Sequence, residues 1–196
     1  MNWLAHVFLS EPTTDFRLGN LLADLVRGAD RDAMSVEFRR GAACHKAIDA
    51  FTDSHTVVHR SRARIDRRVR RFSGVLVDIF YDYLLAQSWS EYSSQPLEAF
   101  TSDFYAAVRR QPIELPRDAK ATLERILQHD LLGQYRHLTG VEHSLRRVSA
   151  YISQRWGRDY ALEASAADLQ THAASFAADF AEFFPQLRAH VATLRF

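Results

Sequence analysis

Cysteine occurs once in the 196 residues, at Cys44. A lone thiol cannot close a disulfide within the chain, which favours a reducing compartment. Long apolar runs are missing. Nothing approaches the ~18 residues that mark a membrane span. The opening Met1-Asn2-Trp3-Leu4-Ala5-His6 has no basic stretch ahead of an apolar run, so it does not read as a secretory signal. The expected location is the cytoplasm, with no membrane association. An excess of one charge is also missing: 25 basic and 24 acidic residues leave a net charge of +1, so the whole-chain field points to no nucleic acid. Glycine and proline are scarce, at seven and five, and strand-like alternation is almost absent.

Helical spacing runs through the chain, so the expected class is all-α, a single helical domain over residues 1–196. The pattern predicts helices near residues 2–9, 16–26, 36–54, 57–72 and 75–89. Others are expected after Pro96 and over 117–137, 142–156 and 162–184, with Pro185 opening a last short one. Pro112 and Pro116 bound a connection.

Four predicted helices carry acids or histidines among apolar neighbours. In 36–54, Cys44, Ile48 and Phe51 form an apolar stripe, and His45 and Asp49 follow one position later, four residues apart. Residues at that spacing share a face, so both can point into one cavity at the edge of the core, with Asp53 a further turn on. The segment Val75 to Leu85 is apolar nearly all round and should be buried. It places Asp78 and Asp82 on one face, and a buried carboxylate needs a metal, a cation or several hydrogen bonds. His6 within Leu4-Ala5-His6-Val7-Phe8-Leu9, and Asp24 after Leu21-Leu22-Ala23, pose the same demand. Imidazole with carboxylate suits Mn²⁺, Fe²⁺ or Zn²⁺, and without thiolates an open hydrolytic site fits better than a closed structural zinc. Cys44 belongs to the apolar stripe and does not face His45, so it is not read as a nucleophile. His129-Asp130 lacks any companion acids and histidines.

These residues carry a resemblance. Met1-Asn2-Trp3-Leu4-Ala5-His6, then Gly19-Asn20-Leu21-Leu22-Ala23-Asp24 with Arg27-Gly28, then His45-Lys46-Ala47-Ile48-Asp49 with Thr52-Asp53, then Asp78-Ile79-Phe80-Tyr81-Asp82 resemble the acyl carrier protein phosphodiesterase family. That family is similar to the helical HD-type metal-dependent phosphohydrolases. The resemblance implies hydrolysis of the phosphodiester joining 4′-phosphopantetheine to a serine of acyl carrier protein, with manganese as the metal. It assigns His6, Asp24, His45 and Asp78 to the metal site, and Asp24, Asp49 and Asp82 to catalysis. One departure from the wider HD pattern is that Lys46, not an aspartate, follows His45. Asp24, Asp49 and Asp78 all remain candidates to complete the metal shell.

Residues 59–71 hold seven arginines and one acid. Ile65, Val69 and Phe72 give the segment one apolar side, so a single basic helix should present Arg60, Arg64, Arg67, Arg68 and Arg71 to an acidic partner. Carrier proteins of this kind are small and acidic. Two rival readings share these features: an HD-like hydrolase of a small nucleotide such as a guanosine polyphosphate, and a non-enzymatic helical adaptor for an acidic protein. Metal dependence separates the adaptor from both enzymes.

Overall fold

The computed structural model describes residues 1–111 and 113–196, so Pro112 lies outside the described residues. Among these, the regular structure is helical, with no strand. The helices are α1 (Trp3–Phe8), α2 (Thr14–Leu22), α3 (Gly28–Asp32), α4 (Val36–Ser54), α5 (Thr56–Arg62), α6 (Ser73–Gln87), α7 (Trp89–Tyr92), α8 (Leu97–Arg110), α9 (Arg117–Gln128), α10 (Leu138–Trp156), α11 (Ala166–Thr171) and α12 (Ala173–Thr193). No helix among them is long and apolar enough to cross a membrane.

Capping residues set the starts that matter for the site. The Asn2 side chain accepts the Trp3 N–H at α1, the Thr13 hydroxyl accepts from Phe16 at α2, and the Ser35 hydroxyl accepts from Phe38 at α4. α6 is the central element. Leu76, Val77, Ile79, Phe80, Tyr81 and Leu85 are fully buried, and the helix touches α1, α5, α10 and α12. Burial of each such side chain contributes about 1.5–3 kcal/mol. Phe176, Phe180, Phe183 and Phe184 of α12 close the core from the far side.

α2 lies along α4 in the most extensive contact between helices. Two glycines permit it. A Cβ on Gly19 would run into the Phe38 carbonyl, and one on Gly41 into the Phe16 carbonyl and the Asn20 amide. The two backbones therefore touch, which no larger residue would allow.

Four expected boundaries differ. The basic helix expected over 57–72 stops at Arg62, and residues 63–69 are turns leading to a single 3₁₀ turn at Arg70–Phe72. Arg62 pairs with Asp53 of α4 and Arg64 with Asp179 of α12, while Arg70 folds back onto the Ala63 and Ile65 carbonyls that a continuing helix would use itself. The helix expected over 117–137 ends at Gln128, because Asp130 adopts φ 48° and its carboxylate accepts from the Gly133 N–H and the Tyr105 hydroxyl. The stretch expected as one helix over 162–184 is divided into a 3₁₀ turn, α11 and α12. Pro185 does not start a helix but lies inside α12, where it removes one N–H donor.

Candidate active site

Asn20 organises the site. Its side-chain oxygen lies 2.8 Å from His6 Nδ1, and its main-chain oxygen lies 2.7 Å from His45 Nδ1. Both oxygens can only accept, so both Nδ1 atoms carry the proton in these bonds. The Asn20 amide is spent in turn on the His6 carbonyl and the Ser10 hydroxyl. Every bond fixes a ring orientation. The two imidazoles stack with centroids 4.1 Å apart, and their Nε2 atoms turn toward Asp49.

His6 Nε2 lies 3.3 Å from Asp49 Oδ1, and His45 Nε2 lies 3.0 Å from Asp49 Oδ2. Asp24 Oδ2 stands 3.6 Å from His45 Nε2 on the open side. One ligand atom from each of His6, His45 and Asp49 falls within 4.8 Å of the others. His45 Nε2 is buried, yet aligned for a hydrogen bond with neither carboxylate. A buried polar atom without a partner calls for one.

The electrostatics favour a cation. Burial pulls the His45 pKa down, but Asp24 and Asp49 outweigh it and push it up to about 9. Burial raises the Asp49 carboxyl, but His45 and His6 hold it well below the usual carboxylate range. His45 holds Asp24 low as well. Burial, against the opposing pull of Asp49, leaves His6 below its ordinary value. The cluster thus retains a proton where positive charge is wanted. Two Nε2 atoms backed by Nδ1–H donation to oxygen, with a carboxylate between them, form a donor set that fits a divalent first-row ion.

The expected residues fall into two groups. His6, Asp24, His45, Asp49 and Asp78 line one cleft of about 700 Å³. Asp78 stands a step back from the converging atoms, 3.0 Å from the Met1 α-ammonium, which also comes within 3.9 Å of Asp49. Burial lowers the pKa of that ammonium, but Asp78 and then Asp49 more than restore it, leaving it raised.

Asp82, expected to act in catalysis, is elsewhere. It is completely buried and accepts the Leu4 and Ala5 N–H groups at the start of α1, at 2.7 and 3.2 Å. The start of a helix offers unspent N–H donors and a favourable dipole. Those donors offset part of the cost of burying the carboxyl, and Asp82, outside the cleft, serves as an anchor for the helix that carries His6 and not as the catalytic acid expected.

The basic row is dispersed. Arg60 and Arg64 both pair with the buried Asp179 of α12, and Arg60 also reaches Glu182. Ser61 joins the same carboxylate and meets the Tyr81 hydroxyl. Arg68 folds onto Asp66. Arg71 lies over the rings of Phe72, Trp156 and Tyr160. Arg67 is exposed. The expectation of five arginines on one outward face is therefore corrected: Arg60, itself exposed, and Arg64 are tied to the buried Asp179. Cys44 is buried, which pushes its thiol up to about 12 and keeps it unreactive.

Sequence reasoning quoted Asn20 but gave it no task. The available signal was an amide inside an apolar helix, which must find partners for every polar atom. Arg125 and Arg147, which also line the cleft, gave no signal at all.

The fold is all-helical, and two imidazoles and an aspartate, groups able to hold a metal ion, converge in its cleft. The chain belongs to the acyl carrier protein phosphodiesterase family, whose model matches residues 1–187. Three similar proteins carry the name acyl carrier protein phosphodiesterase. One from Klebsiella pneumoniae (strain 342) is 32% identical over 190 residues, covering 95% of each chain. One from Photorhabdus laumondii is 28% identical over 188 residues, covering 95% of this chain and 93% of its own. One from Pectobacterium atrosepticum is 27% identical over 188 residues, covering 95% of each. No solved structure matches the chain.

Proposed function

We propose that the protein hydrolyses the phosphodiester joining 4′-phosphopantetheine to the serine of holo acyl carrier protein, releasing apo carrier and 4′-phosphopantetheine. The observation that carries this reading is the convergence of His6 Nε2, His45 Nε2 and the Asp49 carboxylate within 4.8 Å. Those three residues would hold a divalent ion, Mn²⁺ on this reading, with Asp24 within reach as a fourth ligand. When bound, such an ion supplies Lewis acidity toward a phosphoryl oxygen and lowers the pKa of water.

The chain's own residues do the rest. A water oxygen forms the new bond to phosphorus while the bond from phosphorus to the serine oxygen breaks. Asp24, largely exposed and held ionised beside His45, is positioned to take the proton of that water. Asp24 passes that proton on to the serine oxygen as it leaves, which returns the carboxylate. Asn20 keeps both Nε2 lone pairs directed at one point, which removes reorganisation from the reaction. A cleft of about 700 Å³ is in the range that accepts a cofactor-sized group.

The acidic carrier docks on the exposed arginines that retain their charge outward, Arg67 and Arg71, with Arg68 partly neutralised by Asp66. Membership of a phosphodiesterase family supports this enzyme reading over a passive adaptor. The test is incubation with holo carrier and Mn²⁺, followed by intact-mass analysis. Conversion to the mass of the apo carrier, abolished by chelator, is expected. A carrier that keeps its prosthetic group under every metal tried would overturn the reading.

A further inference from the structure

The cleft holds two guanidinium groups that the His/Asp centre does not use, those of Arg125 on α9 and Arg147 on α10. No carboxylate forms an ion pair with either among the described residues. Arg147 is the more telling. Burial lowers its pKa, the neighbouring Tyr135 hydroxyl opposes that in part, and the like charge of Arg125 lowers it further. Its guanidinium lies 4.7 Å over the Trp3 ring, and its neutral partners are the Tyr135 hydroxyl and, at a long 3.4 Å, the Ser144 hydroxyl. Arg125 reaches only the Thr122 hydroxyl, at 3.1 Å.

A guanidinium has five N–H donors, and enclosing one with most of them unspent is costly. The acids of the same cleft do not relieve it. Asp49 is engaged by His6 and His45, and Asp78 by the Met1 ammonium. Besides its acids and imidazoles the cleft therefore carries two cations without a carboxylate partner, Arg147 half-buried and Arg125 exposed. The Trp3 ring supports the Arg147 cation from one side. Trp3 follows Asn2, whose amide is anchored 2.7 Å from the buried Tyr135 hydroxyl, so the platform is fixed to the core.

We propose that Arg147, assisted by Arg125, is a phosphate-binding site that holds the phosphoryl group of the substrate, and that it binds a phosphomonoester dianion more tightly than a diester. The inference rests on the phosphodiesterase reading for its substrate, but not for its geometry. Two guanidiniums match the two charges that a phosphomonoester carries and a diester lacks. The released phosphomonoester should accordingly act as a competitive inhibitor.

The test is calorimetric titration of the full chain, in excess chelator, with inorganic phosphate and separately with dimethyl phosphate. One phosphate per chain is expected, with dimethyl phosphate at least tenfold weaker. Arg147→Gln should weaken phosphate at least tenfold. Arg147→Lys, which keeps the charge but loses the fork, should fall between. Arg155→Gln, exposed on the same helix and outside the cleft, should match the parent. Circular dichroism checks folding, and Arg147→Lys serves if Arg147→Gln does not fold. No binding by the parent, equal binding by a folded Arg147 variant, or no preference for phosphate over its dimethyl ester would each overturn the proposal. Chelation separates this from the reading above: phosphate bound through Arg147 by a protein that leaves the carrier intact would sink only the carrier reaction. Carrier hydrolysis with phosphate binding indifferent to Arg147 would sink only this inference.

Discussion

The main-chain oxygen of Asn20 lies 2.7 Å from His45 Nδ1, although 25 residues separate them in sequence. The same residue holds His6 through its side chain. One residue of α2 thus engages Nδ1 of two imidazoles on two other helices, and turns both Nε2 atoms toward Asp49. Asn20→Ala removes the side-chain half alone. His6 should lose its orientation while His45 keeps its own. Second partners of this kind are worth about 10–100-fold in metal affinity. Calorimetric Mn²⁺ titration of the folded variant checks this, and an unchanged affinity would show that Asn20 does not orient the site.

The approach of Asn20 to His45 depends on Gly41. A methyl group there would press on the Phe16 carbonyl and the Asn20 amide, both backbone atoms that cannot turn aside. Gly41→Ala should therefore force α2 off α4. The expected cost is about 1–3 kcal/mol or more, read by urea denaturation, together with a loss of metal affinity. Stability and affinity both equal to the parent's would contradict the close-contact account.

Asp82 should matter for folding and not for ligation. Asp82→Ala leaves two buried N–H groups of α1 without an acceptor, a loss of about 1–3 kcal/mol each at most. Burial, opposed by those N–H bonds, raises the Asp82 carboxyl from 3.8 to about 7. In that interval the folded state keeps a proton that the unfolded state has released. Stability should fall as pH rises through it and level off above pH 7. Asp82→Asn should flatten this slope in denaturation curves measured across the interval. A slope unaffected by the substitution would assign it to other groups.

Arginines that looked alike in sequence should separate by experiment. Arg67→Glu with Arg71→Glu should raise KM for the holo carrier, and the parent's KM should rise with salt, while kcat changes little. Arg60→Ala should instead lower stability, because it removes a partner of the buried Asp179. Salt-independent KM values, equal in parent and double variant, would place docking on another face.

Helix class, the apolar character of α6 and the pairing of His45 with Asp49 were all legible because each is a local pattern. Periodicity reports which side of a helix is buried, and a spacing of four reports a shared face. The partner of a buried group is not local. Asp78 and Asp82 read alike on α6, yet one meets an ammonium in the cleft and the other caps α1. The arginine run read as a helix because Ile65, Val69 and Phe72 fit helical spacing, while the acid that draws Arg60 and Arg64 inward lies more than 100 residues away. Asn20, Arg125 and Arg147 gave little sign because their functions come only from the packing of separate helices.

The measurement that bears most directly on the centre is Mn²⁺ binding to the chelated full chain and to folded His45→Ala, followed by electron paramagnetic resonance between pH 6 and 9. The parent should take up one ion per chain. Its affinity should rise with pH across this range, because His45 must give up a proton held up to about pH 9 before its Nε2 can ligate. The same linkage makes the stabilisation from protonated His45 in the metal-free chain complete below about pH 6.5 and lost as pH passes through about 9. His45→Ala should bind the ion at least tenfold more weakly. Equal, pH-independent binding by the parent and the folded variant would contradict a centre built on His6, His45 and Asp49.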